Sequence, residues 1–223
     1  KYGGGIYLDS KSSTIVDCAF VEQPNAIYCD NKECTIKFSA FLKNSNYDVW
    51  STKEINIANN WFGNTMDNRY YDLSKLKGKA VNLVNIENLY LLATSMDKNY
   101  HNGQESTVNL NFRYMRDEPT SYNKWPPFSN PAISYAVSGV NADIVSKNLY
   151  LANGKSSFKF VTDASKSTSS LTVDCYGAKL TLKFKINPNS FTALQALVDS
   201  CQNGVLNLTH NYTRDKSIDG DMT

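Results

Sequence analysis

The sequence predicts a mainly β protein in which the end of a short right-handed parallel β-helix is followed by an immunoglobulin-like β-sandwich, with a C-terminal amphipathic helix and strand. Three observations lead to this fold class. Apolar residues repeat every 21 positions in residues 1–64, they alternate with period two in residues 83–187, and they take helical spacing after residue 188. Residues 65–82 are then a connector, and residues 188–223 a helix–strand cap resembling the start of a further β-helix.

The repeat in residues 1–64 is the strongest signal. Its length suits one turn of a parallel β-helix, in which three short strands are joined by polar corners. Stacked turns place each apolar side chain on its counterpart, and stacked Asn amides hydrogen-bond to one another at the corners. The columns at this spacing are Ile15, Ile36 and Ile57; Phe20, Phe41 and Phe62; Tyr7, Tyr28 and Val49; and Asn25 with Asn46.

The pattern of residue types changes twice in residues 65–187. Residues 69–76 predict one short helical turn within the connector. Seven alternating segments separated by Gly, Asn, Ser and Pro then predict a sandwich, although the Cys-Trp-Cys signature of antibody domains is absent. The residues expected to face inward are Leu89, Leu91 and Ala93; Val108, Leu110, Phe112 and Tyr114; Ile133, Tyr135 and Val137; Leu149 and Leu151; Phe158 and Phe160; Leu171, Val173 and Cys175; and Leu180, Leu182, Phe184 and Ile186.

One proline-rich loop, residues 119–131, interrupts these strands and contains Trp125 and Phe128. Proline lacks a backbone donor, so this segment does not predict a central strand. Its aromatic side chains are consistent with an adhesive ligand loop. We favour the other interpretation, a crossover between sheets whose tryptophan packs back onto the sandwich.

The C-terminal segment predicts a helix from Ser190, as the N-cap, to about Cys201, with Gly204 just beyond its end. A single strand is expected over residues 205–208. A short amphipathic helix followed by one strand is typical of a unit that caps a solenoid. The apolar helix positions at i, i+3 and i+4 spacing are Phe191, Leu194, Leu197, Val198 and Cys201.

Composition limits the classes of partner. The 223 residues carry 23 basic and 21 acidic side chains, a net charge of +2, and no basic block or apolar run long enough to cross a membrane. Neither nucleic-acid binding nor a membrane span is therefore expected. The 26 Asn residues and two N-glycosylation sequons, at Asn207 and Asn211, favour an exported protein.

Five cysteines leave at least one thiol unpaired within the chain. Cys29 and Cys34 flank a predicted corner, where they form either a disulfide or two reduced thiols. Cys175 and Cys201 occupy apolar positions and are expected to be buried. The cysteines lack zinc-site spacing and lie far from both histidines, so no metal site is expected.

Catalysis has little support in the sequence. Enzymes built on β-helices place acidic and basic side chains on neighbouring turns of one face, whereas Asp9, Asp17, Asp30 and Asp48 fall in different columns. We therefore predict no enzyme, no catalytic residue and no cofactor. The alternative is a remnant of a β-helix carbohydrate-active enzyme, or a glycan-binding module.

Three motifs carry a resemblance to the large adhesin-like surface proteins of methanogenic archaea. Residues 3–7 (GGGIY) resemble the family's Gly-Gly-Ala-Ile-Tyr turns, residues 59–64 (NNWFGN) resemble its Asn-x-Trp-Trp-Gly solenoid end, and residues 190–197 with 205–208 resemble the start of its next module. Gly5 and Phe62 depart mildly from these patterns. The resemblance spans the chain and implies an extracellular, cell-surface protein used for attachment, with glycans or another cell's surface as its partners.

The predicted ends suggest an assembly of copies of the chain, head to tail. Residues 190–212 of one copy would dock on residues 3–50 of the next and complete a β-helix between subunits. The other interpretation is a cut through a longer protein. The candidate surface comprises Ile6, Tyr7 and Leu8 on one side, and Phe191, Leu194, Leu197, Val198, Val205, Leu206 and Leu208 on the other.

Overall fold

The computed structural model describes residues 4–9, 11–30, 33–70, 72–80, 89–96, 102–114, 132–201, 204–208 and 210–213. It is mainly β, as predicted, and its helical residues belong to one α-helix and one 3-10 turn, Leu73–Lys75. The strands are β1 Gly4–Leu8, β2 Ser12–Val16, β3 Ala19–Val21, β4 Asn25–Cys29, β5 Glu33–Lys37, β6 Ala40–Leu42, β7 Tyr47–Ser51, β8 Trp61–Thr65, β9 Leu76–Gly78, β10 Tyr90–Met96, β11 Ser106–Tyr114, β12 Ile133–Ser134, β13 Ala136–Val140, β14 Ala142–Ile144, β15 Tyr150–Leu151, β16 Lys155–Thr162, β17 Thr168–Cys175 and β18 Ala178–Lys185; the helix is α1 Phe191–Ser200.

The first part of the chain is a coil of parallel strands, hereafter the coil, over residues 4–80. Its three sheets have the strand orders β1-β4-β7-β9, β2-β5 and β3-β6-β8. Ile15 lies opposite Ile36 and Phe20 opposite Phe41, so the predicted spacing of 21 residues is the spacing of these pairs. The chain therefore returns to the same sheet once per turn.

A left-handed backbone residue makes the same corner of each turn. Asp17, Phe38 and Asn59 have φ angles of 54°, 53° and 61°, again 21 residues apart. A left-handed residue is unfavourable for a side chain larger than glycine, so these corners need compensating interactions.

Side chains that follow these corners supply the compensation. The Asn60 Oδ1 atom accepts a hydrogen bond from the backbone N–H of Ser39 (3.0 Å), and the Ser39 Oγ atom accepts one from the backbone N–H of Cys18 (3.2 Å). Asn60 Nδ2 also donates to the carbonyls of Ile36 (2.7 Å) and Ile57 (2.9 Å). Each turn thereby satisfies backbone groups of the turn before it.

Two aromatic columns run along the coil. The predicted phenylalanine column is confirmed: successive rings of Phe20, Phe41 and Phe62 stack with centroids 5.1 and 4.8 Å apart, inside the core. The predicted column of Tyr7, Tyr28 and Val49 is wrong in its last member, because Tyr28 pairs with Trp50 and Ile27 with Val49. The corner before β7, residues 43–46, is one residue longer than the corner before β4, residues 22–24, and this shifts the register.

Strand β8, which contains Trp61 and Phe62, belongs to both the coil and the antiparallel part. Strand β8 pairs in parallel with both β6 and β10, so one sheet runs in the order β14-β16-β11-β10-β8-β6-β3. Strand β9 also continues the coil beyond residue 64, by pairing with β7. The predicted division into residues 1–64, 65–82, 83–187 and 188–223 stays a prediction, and the hydrogen bonding runs across its first two boundaries.

The antiparallel part has a core between this long sheet and the sheet β13-β17-β18. The predicted inward residues of β11, β16, β17 and β18 lie in or against this core. Strand β10 differs from the prediction because it is central: Tyr90 and Leu92 face this core, and Leu89, Leu91 and Ala93 are also completely buried.

The C-terminal helix α1 begins as predicted. Ser190 is its N-cap, and its Oγ atom accepts a hydrogen bond from the Ala193 backbone N–H (3.1 Å). The predicted strand over residues 205–208 is wrong: these residues pair with no strand in the described part of the chain, and Val205 and Leu208 are 75% and 57% exposed. Strand propensity needs a neighbouring strand to bond with, and the fold supplies none here.

We expect the Phe41→Ala variant to lower the free energy of unfolding by about 3–5 kcal/mol, because it removes the central ring of a stacked, buried column. Urea denaturation measures this loss. The matched control is Val145→Ala, at a position that is 44% exposed, with an expected change within about 0.5 kcal/mol. Equal losses for the two variants would contradict the stacked core.

Candidate functional site

The outer edges of β1, β2 and β3 form an open end of the coil, hereafter the open end. Among the described residues, no strand pairs with these edges. Tyr7 is 62% exposed and Val16 42% exposed, whereas Ile6 and Leu8 are partly buried against the coil core. The predicted residues Ile6, Tyr7 and Leu8 therefore lie on an edge strand with apolar side chains beside it, and exposed strand edges are templates for further pairing.

The hydrogen-bond ladder of the corners also reaches the open end. Ser39 Oγ both donates to the Lys37 carbonyl (3.0 Å) and accepts from the Cys18 N–H. Cys18 Sγ donates to the Val16 carbonyl (3.3 Å) in the equivalent position of the first turn. The open end thus presents the same corner geometry that binds one turn to the next.

The predicted apolar face of α1 is largely uncovered. Phe191 and Val198 are 53% and 48% exposed, and Leu194 and Leu197 are half-buried. In the segment after the helix, Leu206 is half-buried. The sequence identified the helix correctly but did not show which face the fold would cover, and it is Ala193 that is buried.

Cys29 and Cys34 are both buried thiols in this structure. They hydrogen-bond to each other. This contact lowers the pKa of Cys34 and, together with burial, raises that of Cys29. The predicted pair is therefore brought together, and its disulfide stays a prediction for oxidising conditions. Cys175 is buried as predicted, with its pKa raised to about 12 by burial, whereas Cys201 is only half-buried and its Sγ donates to a backbone carbonyl.

The predicted sequon residues lie within the described part of the chain, whereas those of the predicted ligand loop do not. Asn207 and Asn211 of the two sequons are exposed, which glycosylation requires. Trp125 and Phe128 of the predicted ligand loop lie outside the described residues. No helix within the described ranges is long and apolar enough to span a membrane, and no three His, Cys, Asp or Glu side chains there are grouped to hold a metal ion.

Sequence reasoning missed a cleft of about 320 Å³ where the coil meets the antiparallel part, hereafter the junction cleft. Its lining comes from the end of β6 and the following corner, from β7 and β8, from residues 68, 70, 72 and 75, and from the turn between β17 and β18. Gly63 lies in this lining with φ +78°, a conformation that favours glycine. Side chains so distant in sequence give no local pattern that could have indicated the site.

The basic side chains of the junction cleft are already bonded. Lys43 Nζ forms an ion pair with the Glu22 carboxylate (2.6 Å), and Lys75 Nζ donates to the carbonyls of Asn44 (2.9 Å) and Ser45 (2.5 Å). Lys43 thereby joins the corners of two neighbouring turns, and Lys75 is held by backbone carbonyls of the corner at residues 43–46.

Two acidic side chains also line the junction cleft. Asp48 is 5% exposed and accepts a hydrogen bond from Asn44 Nδ2 (2.8 Å). Asp72 caps the 3-10 turn, and hydrogen bonds from the Ser74 hydroxyl and N–H hold the pKa of this carboxyl below its usual value. The cleft therefore combines carboxylate, amide and aromatic side chains on a partly apolar lining.

Comparison of the chain with protein-family models, with curated proteins and with solved structures finds no match.

We expect mild oxidation of the native protein to form a disulfide between Cys29 and Cys34, because the two buried thiols are hydrogen-bonded to each other. Intact-mass analysis should show the loss of two hydrogen atoms, and peptide mapping should locate the bond. The Cys34→Ser variant is the control and should resist this change. A bond that joins Cys18 or Cys201 instead would contradict the assignment.

Proposed function

We propose that this chain is part of a non-enzymatic extracellular surface protein of the adhesin type, which serves as a stalk or filament segment. In this proposal the coil is the end of a right-handed parallel β-helix, and the antiparallel part is an immunoglobulin-like sandwich. The observation that carries the proposal is the repeated hydrogen bonding between turns of the coil. This bonding reaches the open end on one side, and on the other side the coil shares the long sheet of the antiparallel part.

The corner ladder gives the coil a repeating structure. Each turn adds the same backbone and side-chain bonds to the turn before it, so the length of such a coil grows with the number of turns while its cross-section stays the same. Strands β8 and β10 then connect the coil to the antiparallel part through backbone hydrogen bonds. A rod with a continuous sheet through its joint transmits tension, which is what a stalk must do.

Two surfaces of the described chain leave apolar side chains exposed. The open end presents strand edges and the exposed apolar side chains of Tyr7 and Val16. The C-terminal unit presents the exposed side chains of Phe191, Val198 and Val205. Docking the second surface on the first in another copy covers both. Because the two surfaces differ, the contact is heterologous, and in this proposal it propagates as an open filament and not as a closed ring.

The extracellular location is supported by the exposed sequon residues Asn207 and Asn211 and by the motif resemblance to archaeal adhesin-like proteins. Both sequons lie in the C-terminal unit that the docking would use. A glycan there would compete with assembly.

We expect the Phe191→Asp, Val198→Asp double variant to abolish head-to-tail assembly, because it puts two charges into an apolar contact. Sedimentation velocity and electron microscopy of the full chain over a concentration series measure assembly. The matched control is Val140→Asp, at a position of the antiparallel part that is 63% exposed, and it should assemble like the unaltered protein.

A second variant, Tyr7→Asp, tests the open end. In a solution that contains only this variant, head-to-tail assembly should also be lost. Mixing the Tyr7→Asp chain with the double variant should give only dimers, since each retains one intact surface and those two surfaces are complementary. Filaments that persist in both variants, or an unaltered chain that stays monomeric at every concentration, would overturn the proposal.

A further inference from the structure

We infer that the junction cleft binds the end of a neutral oligosaccharide. This inference rests on the proposed attachment function, for which it names a ligand class and a site. The cleft combines aromatic side chains, hydrogen-bonding side chains and charges of both signs.

The aromatic part of the cleft comes from two tyrosines. Tyr70 is 76% exposed although it lies beside a partly apolar lining that contains Phe41, Leu42 and Phe62. Tyr176 comes from the turn between β17 and β18, and its hydroxyl is bonded to the Ser134 hydroxyl (3.1 Å), which holds the ring in place. A pyranose ring has a face of C–H groups that packs on an aromatic ring, and Tyr adds a polar tip to that contact.

The polar part matches the hydroxyl groups of a sugar. A sugar hydroxyl both donates and accepts hydrogen bonds, so its binding site needs an acceptor and a donor nearby. Asp72 supplies carboxylate oxygens, and Asn68 supplies an amide whose Oδ1 atom accepts from the Tyr70 N–H (3.1 Å). That bond ties the Asn68 amide to the Tyr70 backbone, and both residues belong to the lining of the cleft.

The charge of the cleft favours a neutral ligand. Its lining carries two lysines, Lys43 and Lys75, and two aspartates, Asp48 and Asp72, and Glu22 adds one more carboxylate beside Lys43. Both ammonium groups are already bonded, to a carboxylate and to backbone carbonyls. An anion such as phosphate would have to take these lysines from their partners and approach two carboxylates, and a metal ion would meet the two ammonium groups.

The size of the cleft indicates that a chain end binds. A volume of about 320 Å³ lies at the lower limit of the roughly 300–1,000 Å³ that is typical of small-molecule sites. The cleft therefore has room for a terminal unit of a glycan. Such a site suits attachment to glycans that end at a surface.

The test uses the full chain and three neutral disaccharides, cellobiose, maltose and N,N′-diacetylchitobiose, with digalacturonate as the anionic comparison. Saturation-transfer NMR detects weak binding, and titration gives the Kd. We expect at least one neutral probe to bind with a Kd on the order of 1 mM, and digalacturonate to bind at least about tenfold more weakly.

Two variants locate the site. Tyr70→Ala and Asn68→Ala should each weaken the binding of that neutral probe by about tenfold. The matched control is Tyr150→Ala, which removes a tyrosine that is 54% exposed elsewhere on the antiparallel part, and it should leave the Kd unchanged. Urea denaturation of each variant verifies folding, which these exposed positions should not alter.

Three outcomes would overturn the inference: no neutral probe binds, digalacturonate binds more tightly than any neutral probe, or Tyr70→Ala and Asn68→Ala bind like the control. Repeating the titration with the Phe191→Asp, Val198→Asp chain separates this inference from assembly. Binding by that variant shows that the cleft acts without assembly. Binding by an unaltered chain that stays monomeric refutes the filament alone, and assembly of the unaltered chain without binding refutes the cleft alone.

Discussion

The corner hydrogen bonds between successive turns are the constraint on which the coil depends. A backbone N–H that follows a left-handed residue has no strand partner, and a side chain from the next turn accepts it, as Asn60 does for Ser39. This bond forms only if the two turns are the same length at that corner. The register it fixes then places Phe20, Phe41 and Phe62 directly over one another, so the apolar core follows from a polar contact.

The joint between the two parts of the protein depends on the alternation of side chains along a single strand. Trp61 and Phe62 are neighbours in β8 and therefore point to opposite faces. Phe62 completes the coil core, while Trp61 lies in the core of the antiparallel part, where its ring meets Phe112 edge-on with centroids 4.8 Å apart. Backbone pairing of β8 with β6 and β10 on its two edges makes this strand a member of both structures.

The surfaces to which we assign function arise where this regular bonding stops. At the open end, strand edges and the corner geometry have no further turn among the described residues to bind. At the junction cleft, the chain leaves the coil through residues 68–75 while the turn between β17 and β18 approaches from the other part. Both candidate sites therefore lie where the regular stacking ends.

The sequence by itself determined the mainly β character, the period of 21 residues, the phenylalanine column, the inward faces of most antiparallel strands and the Ser190 cap, because each depends on the local spacing of residue types. Tertiary structure decided the rest. It paired Tyr28 with Trp50, ran one sheet through β8 and β10, left residues 205–208 unpaired and formed the junction cleft. These features depend on which distant segments meet. One extra corner residue shifts a strand register, and the lack of a neighbouring strand leaves a segment unpaired, while the local residue pattern stays the same.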